Sequence, residues 1–319
     1  MTTDFQEKAR RLRNAVEPVA AGVYFAPEAH KAYAALGFEG SPVTQDGVAR
    51  PDSKAYFTSR GACMGQVPGE VVAAAFGCFN PKVVVPAVEA GWQITSREAI
   101  LQARQRAAAA MLQRVLGDQP GGLGRVTGLL RRATAVAPWE GRPIHGGLRS
   151  LGFPGHPLGD LWRAADLVRE HRGDSHVITW AVGGTDAAEI LLLTEQWWGL
   201  PARSYAPTRG WTGADMDAGF GRLKRRGLMT GGEQLTDAGR AFREEVEVPP
   251  TSSNGRCWTR SETTWTNSSS TWTPGPRRSS PPAPTPSASK GCITSAAGRT
   301  SPPGCTGKGY DHVHGPTGY

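Results

Sequence analysis

The chain has 319 residues, enough for two ordinary domains, and a formal net charge of +8. Seven of its 36 basic residues and two of its 28 acidic residues follow Glu247, so the preceding part has a net charge of only +3. Cys63 and Cys78 are the only cysteines in that part, which excludes a disulfide framework and favours a reducing cytoplasm. No apolar run has the length of a signal or membrane-spanning segment, so we expect a cytoplasmic protein with no membrane partner.

Apolar periodicity predicts helices throughout the first half of the chain. Residues 4–36 have a helical pattern that Pro18 and Pro27 are expected to interrupt. A short apolar helix is predicted over 71–79, and a capping-box sequence opens a longer helix over 95–116.

Further helices are predicted over 160–172, where Gly173 is expected to end the helix, and over 186–198. Residues 177–182 are compatible with a strand or a helix. Because little of the sequence favours strands, the predicted fold class is mainly α.

The end of the folded part has the pattern of a winged helix-turn-helix. After the helix over 186–198, a second helix starts at Thr212 and stops at Arg226-Gly227. The following sequence GLMTGGEQLTDAG predicts a small β-hairpin wing near 228–236, and a last helix starts at Asp237.

Two stretches of the chain share a weak repeat. Glu70 precedes VVAAAF and is followed by Gly91-Trp92, while Glu189 precedes ILLLTE and is followed by Gly210-Trp211 at the same spacing. A capped helix follows each Gly-Trp pair. The spacing predicts two related winged helix-turn-helix-like units packed together, with coincidence as the alternative.

These patterns divide the chain into an N-terminal helical unit (1–120), a connecting segment (121–155), a winged helix-turn-helix unit (156–248) and a tail (249–319). The tail is rich in Ser, Thr, Pro and Gly and is predicted to be disordered. With a G/C-ending codon bias, reading 258–273 one base earlier yields an acidic amphipathic helix. We therefore interpret the tail as a frameshifted translation, with a natural disordered tail as the alternative.

The sequence RLKRRGLM…LTDAGR resembles the end of the winged-helix domain in MarR-type regulators, where R-G-L leads into the wing and L-T-x-x-G opens the next helix. With LVREHRGDSHV and YFAPEAHKAYAALG upstream, residues 10–247 resemble a group of SalK-like or MarR-like helix-turn-helix proteins from high-GC actinobacteria. The resemblance implies a winged helix-turn-helix fold and, with it, a transcription regulator.

DNA binding requires donors and positive charge on the helix that enters the major groove. The helix after Thr212 begins with Asp215 and Asp217, which favour the helix dipole but repel phosphate. Its far end is basic, and we predict phosphate contacts there, with a solvated helix end as the alternative. The predicted DNA-binding residues are Arg209, Arg222, Lys224, Arg225 and Arg226.

Many large aromatic residues lie in the first two thirds of the chain, and ordinary core packing is the simplest explanation for each. Taken together, they predict a cavity between the two units that binds a small apolar or aromatic ligand. The predicted pocket residues are Tyr24, Phe25, Tyr56, Phe57, Arg60, Phe79, Asn80, Trp162, Arg172 and His176.

Two functions follow from these patterns. The first is a small-molecule-responsive winged-helix regulator, expected to be a homodimer that binds duplex DNA. The alternative is an enzyme or resistance protein of specialised metabolism that performs an elimination or ring closure on an anionic small molecule. In it, Asp174 orients His176 for proton transfer and Arg172 holds the anionic group.

A binding protein with neither activity is a third possibility. The sequence has no P-loop, dinucleotide fingerprint or paired metal ligands at convincing spacing, so we predict no metal and no cofactor.

Overall fold

The computed structural model describes residues 2–40 and 52–247, with side chains from residue 7 onward. In these ranges the fold is helical, with short 3-10 turns and no β-strand. The predicted tail after Val248 lies outside the described residues. The helices are α1 Thr2–Ala21, α2 Pro27–Ala34, α3 Ser53–Gly61, α4 Gly69–Phe76, α5 Pro81–Ile94, α6 Arg97–Leu116, α7 Leu123–Ala135, α8 Pro143–Ser150, α9 Pro157–Val182, α10 Ala187–Trp197, α11 Gly213–Arg225 and α12 Asp237–Glu247.

Local capping signals fix the starts of the helices that matter most for function. Asp186 forms a capping box with Glu189 at the start of α10, and Thr212 forms one with Asp215 at the start of α11. Ser96 caps α6 by accepting a hydrogen bond from the Ala99 amide. Side-chain acceptors satisfy amides that lack intrahelical partners, and α10 and α11 start where the sequence predicts. The capping box predicted for Thr95 and Glu98 is not formed, because the cap of α6 is Ser96, one residue later.

Two predicted breaks are wrong. Helix α1 continues through Pro18 to Ala21, and α9 continues through Gly173 to Val182, so residues 177–182 are helical. A glycine costs a helix about 1 kcal/mol. Tertiary packing offsets that cost in α9, because Gly173 is buried and its neighbours Asp174 and Ser175 are buried and hydrogen-bonded.

The predicted β-hairpin wing is also not formed as a pair of strands. Within the described residues, the segment after α11 contains a single antiparallel bridge between Met229 and Leu235. The Thr230 amide donates to the Gln234 carbonyl, and the turn between them is completed by Glu233 in a left-handed conformation. The segment is too short to extend the ladder before α12 begins.

Two hydrophobic clusters form the core. One gathers α1, α2, α6, α7 and the first half of α9, and the other gathers α4, α5, α8, α10, α11 and α12. Helix α9 contributes Trp162 to the first cluster and Leu167 and Trp180 to the second. The two cores therefore share α9, and the shorter α3 also contributes to both, with Ala55 in the first and Phe57 in the second.

The contacts do not reproduce the register of the sequence repeat. That register pairs α6 with α11, because both follow a Gly-Trp pair. Helix α11 packs on α10, however, whereas α6 packs on α2 and α9, and α4 packs on α5. Gly91-Trp92 also lies inside α5, while Gly210-Trp211 lies between helices.

No single helix in the described ranges is long and apolar enough to span a membrane. The bent pair α9–α10, with an angle of 108°, meets the length and composition requirement only when the two helices are taken together.

Candidate nucleic-acid interface and the buried polar centre

Helix α11 lies on α10 through one apolar face and leaves the other open. Met216, Phe220 and Leu223 are buried. Gly219 approaches α10 so closely that a Cβ atom there would lie 3.0 Å from a Leu192 methyl group. The opposite side of α11 faces solvent, with Ala214, Asp217, Ala218, Lys224 and Arg225 exposed.

The two carboxylates at the start of α11 have different partners. The Asp215 carboxylate accepts hydrogen bonds from the backbone amide and hydroxyl of Thr212, which lower the pKa of Asp215. Asp217 pairs with Arg203 at 2.8 Å, and Arg203 also pairs with Glu233 at 2.6 Å. The ion pair with Arg203 therefore reduces the repulsion of phosphate expected from Asp217, whereas Asp215 keeps its charge.

Two of the five predicted DNA-binding residues join α11 to its neighbour instead. Arg222 pairs with Asp186 and, at 3.1 Å, with Glu189, both at the start of α10. Arg226 donates to the carbonyls of Gly183 and Gly184 at 2.9 and 2.8 Å. These two guanidiniums stabilise the packing of α11 on α10.

The other three predicted DNA-binding residues differ in their contacts. Arg209 stacks on the rings of Tyr205 and Phe79, at 4.5 and 5.1 Å, and donates to the Tyr205 hydroxyl. Lys224 and Arg225 are exposed and form no ion pair or side-chain hydrogen bond within the described part of the chain. They are the cations of α11 that remain available to a partner.

The connection between α10 and α11 is organised by a buried carboxylate that the sequence did not reveal. Glu195, fully buried at the end of α10, accepts hydrogen bonds from the amides of Arg203, Tyr205 and Ala206 at 2.8, 2.7 and 2.7 Å. Burial raises the pKa of Glu195, and the three amides oppose that shift. The available signal was an acid in the last turn of an apolar helix, where the helix dipole favours cations.

A second helix-turn-helix lies beside the first. Residues 77–80 join α4 to α5, and Gly77 takes the left-handed conformation that such a turn requires. Asn80, a predicted pocket residue, caps α5 instead and donates to the Gly210 carbonyl at 3.0 Å. Trp211 donates to the Cys78 carbonyl at 2.9 Å, so the two motifs are hydrogen-bonded to each other.

Several predicted pocket residues do come together. The rings of Tyr24 and Tyr56 lie 5.2 Å apart, and the ring of Phe79 lies 5.8 Å from Tyr56 and 5.1 Å from Phe57. Arg60 donates to the Tyr56 hydroxyl at 3.0 Å from among these rings. These five residues form one buried aromatic group around a guanidinium.

The charge of Arg60 is balanced by a buried carboxylate. Arg60 and Glu170, each about 1% exposed at the side chain, pair at 2.9 Å, and Arg169 pairs with the same carboxylate at 2.6 Å. Burial opposes ionisation of Glu170, but Arg60 and Arg169 hold its pKa at about 2. Breaking such a pair from one side leaves an uncompensated buried charge.

A second buried pair lies next to the first. Arg104 and Asp166 pair at 3.1 Å, and Arg104 also donates to the Tyr24 hydroxyl at 2.9 Å. Tyr24 is in turn hydrogen-bonded to Glu170 at 3.4 Å. The two ion pairs therefore form one network that links α3, α6 and α9.

The remaining predicted pocket residues lie elsewhere. Trp162 donates to the Ala20 carbonyl under α1, and Phe25 packs against the same cluster. Arg172 pairs with Glu247 on α12 at 2.7 Å, on the side of α9 where His176 lies. The predicted single pocket is therefore distributed over separate parts of the core.

The structure does not bring Asp174 and His176 together. Because α9 is helical throughout, residues two positions apart point to different sides. Asp174 accepts a hydrogen bond from the His145 amide on α8 at 2.9 Å. Burial and the nearby Arg243 and Arg172 lower the pKa of His176 to about 3, so this imidazole is neutral near pH 7.

The described residues contain no group of three or more His, Cys, Asp or Glu side chains arranged to hold a metal ion.

No curated protein and no solved structure matches the chain. A family model described as a helix-turn-helix family matches residues 9–268, most of the chain. The match agrees with the mainly helical fold and indicates a DNA-binding regulator. The chain belongs to this helix-turn-helix family.

Proposed function

We propose that the protein is a MarR-like transcription regulator that binds duplex DNA as a homodimer and responds to a small molecule. Helix α11 enters the major groove, and the short turn over 228–236 lies beside the DNA backbone as a minimal wing. A homodimer presents two copies of α11 to two half-sites of an operator.

The observation that carries this proposal is the charge of α11. Lys224 and Arg225 are exposed without partners in the described residues, whereas Asp217 is paired with Arg203. The small side chains of Ala214 and Ala218 occupy the rest of the open face and leave room for close approach to a groove. Phosphate contacts from two cations per subunit supply affinity that depends on salt.

Ligand responsiveness is supported by the position of α9. This helix contributes to the buried polar centre and to both cores, and it leads directly into α10, on which α11 packs. A ligand that binds one arrangement of α9 better than another shifts the population of the arrangements of α11.

The alternative of an enzyme receives less support from these contacts. It requires Arg172, Asp174 and His176 to act on one substrate. Asp174 instead contacts α8, while Arg172 contacts α12 through Glu247.

The test is a gel shift of the protein with the DNA upstream of its own gene, at several salt concentrations. We expect retardation at or below micromolar protein. The Lys224→Ala/Arg225→Ala variant removes four cations from the dimer, so it should bind more weakly and reduce the slope of log affinity against log salt by about 3.6.

The matched control is Arg11→Ala/Lys31→Ala, which removes the same charge from exposed positions on α1 and α2. It should retain the slope of the unmodified protein. No retardation of any DNA at micromolar protein, or equal loss in both double variants, contradicts the proposed role of α11.

A further inference from the structure

A cavity of about 450 Å³ opens between α4 and α9, beside the start of α8. Its size falls within the range of about 300–1,000 Å³ typical of small-molecule sites. It is separate from the aromatic group around Arg60. Apolar side chains form most of its wall, namely Val71, Ala74 and Ala75 from α4, Pro143 from α8, and Val177 and Ile178 from α9.

The polar side chains of this cavity are both acidic. Asp174 and Glu70 line it, and none of the described residues that line it is basic. Asp174 is only 2% exposed, and while its Oδ2 atom accepts the amide of His145, its Oδ1 atom has no hydrogen-bond partner. A buried acceptor without a partner is uncommon and costly, and a donor on a bound molecule would satisfy it.

We propose that this cavity binds a small organic amine whose apolar body contacts α4 and α9 and whose ammonium group pairs with Asp174. The inference rests on the small-molecule response proposed above and assigns its ligand class. An anionic ligand is disfavoured, because Glu70 repels it and none of the described residues that line the cavity is basic. Glu70, exposed on α4, adds attraction for a cation at the entrance.

The cavity is placed to influence DNA binding. Immediately after α4, Gly77 is so close to α9 that a Cβ atom there would lie 2.8 Å from Val177, which lines the cavity. Three residues further along α9, the Trp180 carbonyl accepts both the amide and the hydroxyl of Thr185, which fixes the corner into α10. An occupant that separates α4 from α9 therefore acts on the corner that positions α10 and α11.

The pairing depends on pH in a definite direction. Burial raises the pKa of Asp174 to about 8, so the carboxyl is mostly protonated at pH 7 and binding of an ammonium releases a proton. Affinity should therefore rise between pH 6.5 and 8, by at most about tenfold per pH unit, and level off above. The charged and titratable groups around Asp174 are His145 on α8, Glu170 on α9, Arg60 on α3, Arg142 before α8 and Glu70 on α4.

Isothermal titration calorimetry of the full chain can test the ligand class with three probes that share an indole body. Tryptamine carries an ammonium group, tryptophol a hydroxyl and indole-3-acetate a carboxylate. We expect tryptamine to bind at least tenfold more tightly than tryptophol and indole-3-acetate not to bind. Equal binding of the three probes, or no binding of tryptamine at millimolar concentration, overturns the proposal.

Two variants locate the site. Asp174→Asn retains an acceptor for the His145 amide and should lose at least tenfold in tryptamine affinity. Ala74→Trp fills the cavity from an exposed position on α4 and should abolish binding without disturbing the core. Glu89→Gln, on the exposed side of α5 and away from the cavity, is the matched control and should bind as the unmodified protein does.

Unchanged tryptamine affinity in both Asp174→Asn and Ala74→Trp overturns the assignment of the site. Gel shifts of the same proteins without tryptamine keep the two proposals apart. Retardation of DNA by a protein that does not bind tryptamine defeats the ligand assignment alone. If the protein binds tryptamine but does not retard DNA, only the proposal of a DNA-binding regulator is contradicted.

Discussion

Residues 77–80 join α4 to α5, whereas the much longer stretch 198–212 joins α10 to α11. Glycines set the geometry of the α4–α5 motif: Gly77 in the connection adopts a left-handed conformation, and Gly69 at the start of α4 lies against the backbone of α5. In the long connection, the carboxylate of Glu195 collects three backbone amides. The α4–α5 motif is thus held by close backbone packing and the α10–α11 motif by a buried acceptor.

The two motifs also present different surfaces. In the α4–α5 motif, helix α5 exposes Val83 and Pro86 beside Lys82 and Glu89, so its surface is partly apolar and has no net charge. The second helix of the other motif, α11, ends in unpaired cations. The same helix-turn-helix arrangement therefore serves packing in one place and offers positive charge to a partner in the other.

The largest effect is expected from removing the acceptor of the long connection. Glu195→Leu leaves three buried amides without partners and should lower the free energy of unfolding by about 3 kcal/mol. Glu195→Gln keeps one acceptor oxygen and should lose about half as much. Urea unfolding at pH 7 measures both, and a Glu195→Leu variant as stable as the unmodified protein would show that the connection is held by other contacts.

Glycine-to-alanine substitutions should have a smaller effect on stability, and this effect should differ between the two motifs. In Gly69→Ala the new Cβ atom would lie 2.6 Å from the Val85 Cα atom, so the backbones must separate, and we expect a loss of about 2 kcal/mol.

The matched variant is Gly219→Ala, whose Cβ atom meets only a Leu192 methyl group at 3.0 Å. Leu192 can adjust, and alanine favours the helix by about 1 kcal/mol, so the stability should change by less than about 1 kcal/mol. Thermal unfolding of the two variants gives the comparison. Equal losses would mean that both helix pairs are packed equally tightly.

The smallest effect is expected at the contact between the motifs. Asn80→Ala removes the cap of α5 and the hydrogen bond to Gly210, and should cost about 1 kcal/mol in urea unfolding. Because Asn80 does not contact α11 residues 224–225, the salt slope of DNA binding should stay unchanged. A changed slope would show that the α4–α5 motif sets the orientation of the α10–α11 motif.

The features that were predicted correctly depend on local chemistry. The cap at Thr212, the start of a helix near Asp186 and the helix over 213–225 follow from residues within one turn of each other. The residues of the aromatic group around Arg60 were predicted as the lining of a ligand pocket, which stays a prediction, and the buried partner of Arg60, Glu170, lies far along the chain and was missed.

The features that were missed depend on contacts between distant parts of the chain. Gly173 does not end α9, because α8 and the core stabilise the helix on both sides of it. That continuation separates Asp174 from His176, which a break at Gly173 would have left free to meet. The partners of Arg222 at the start of α10, and those of Arg226 at the corner between α9 and α10, likewise do not follow from charge spacing.

Helix α9 is 26 residues long, or about 39 Å at 1.5 Å per residue, and it belongs to both hydrophobic clusters. Unfolding of either cluster removes the packing contacts that stabilise one part of this helix. Neither half of the molecule can then open without weakening the other, and slow amide hydrogen exchange along α9 should give a single opening free energy. The folded chain should behave as one cooperative unit, although its sequence divides into two.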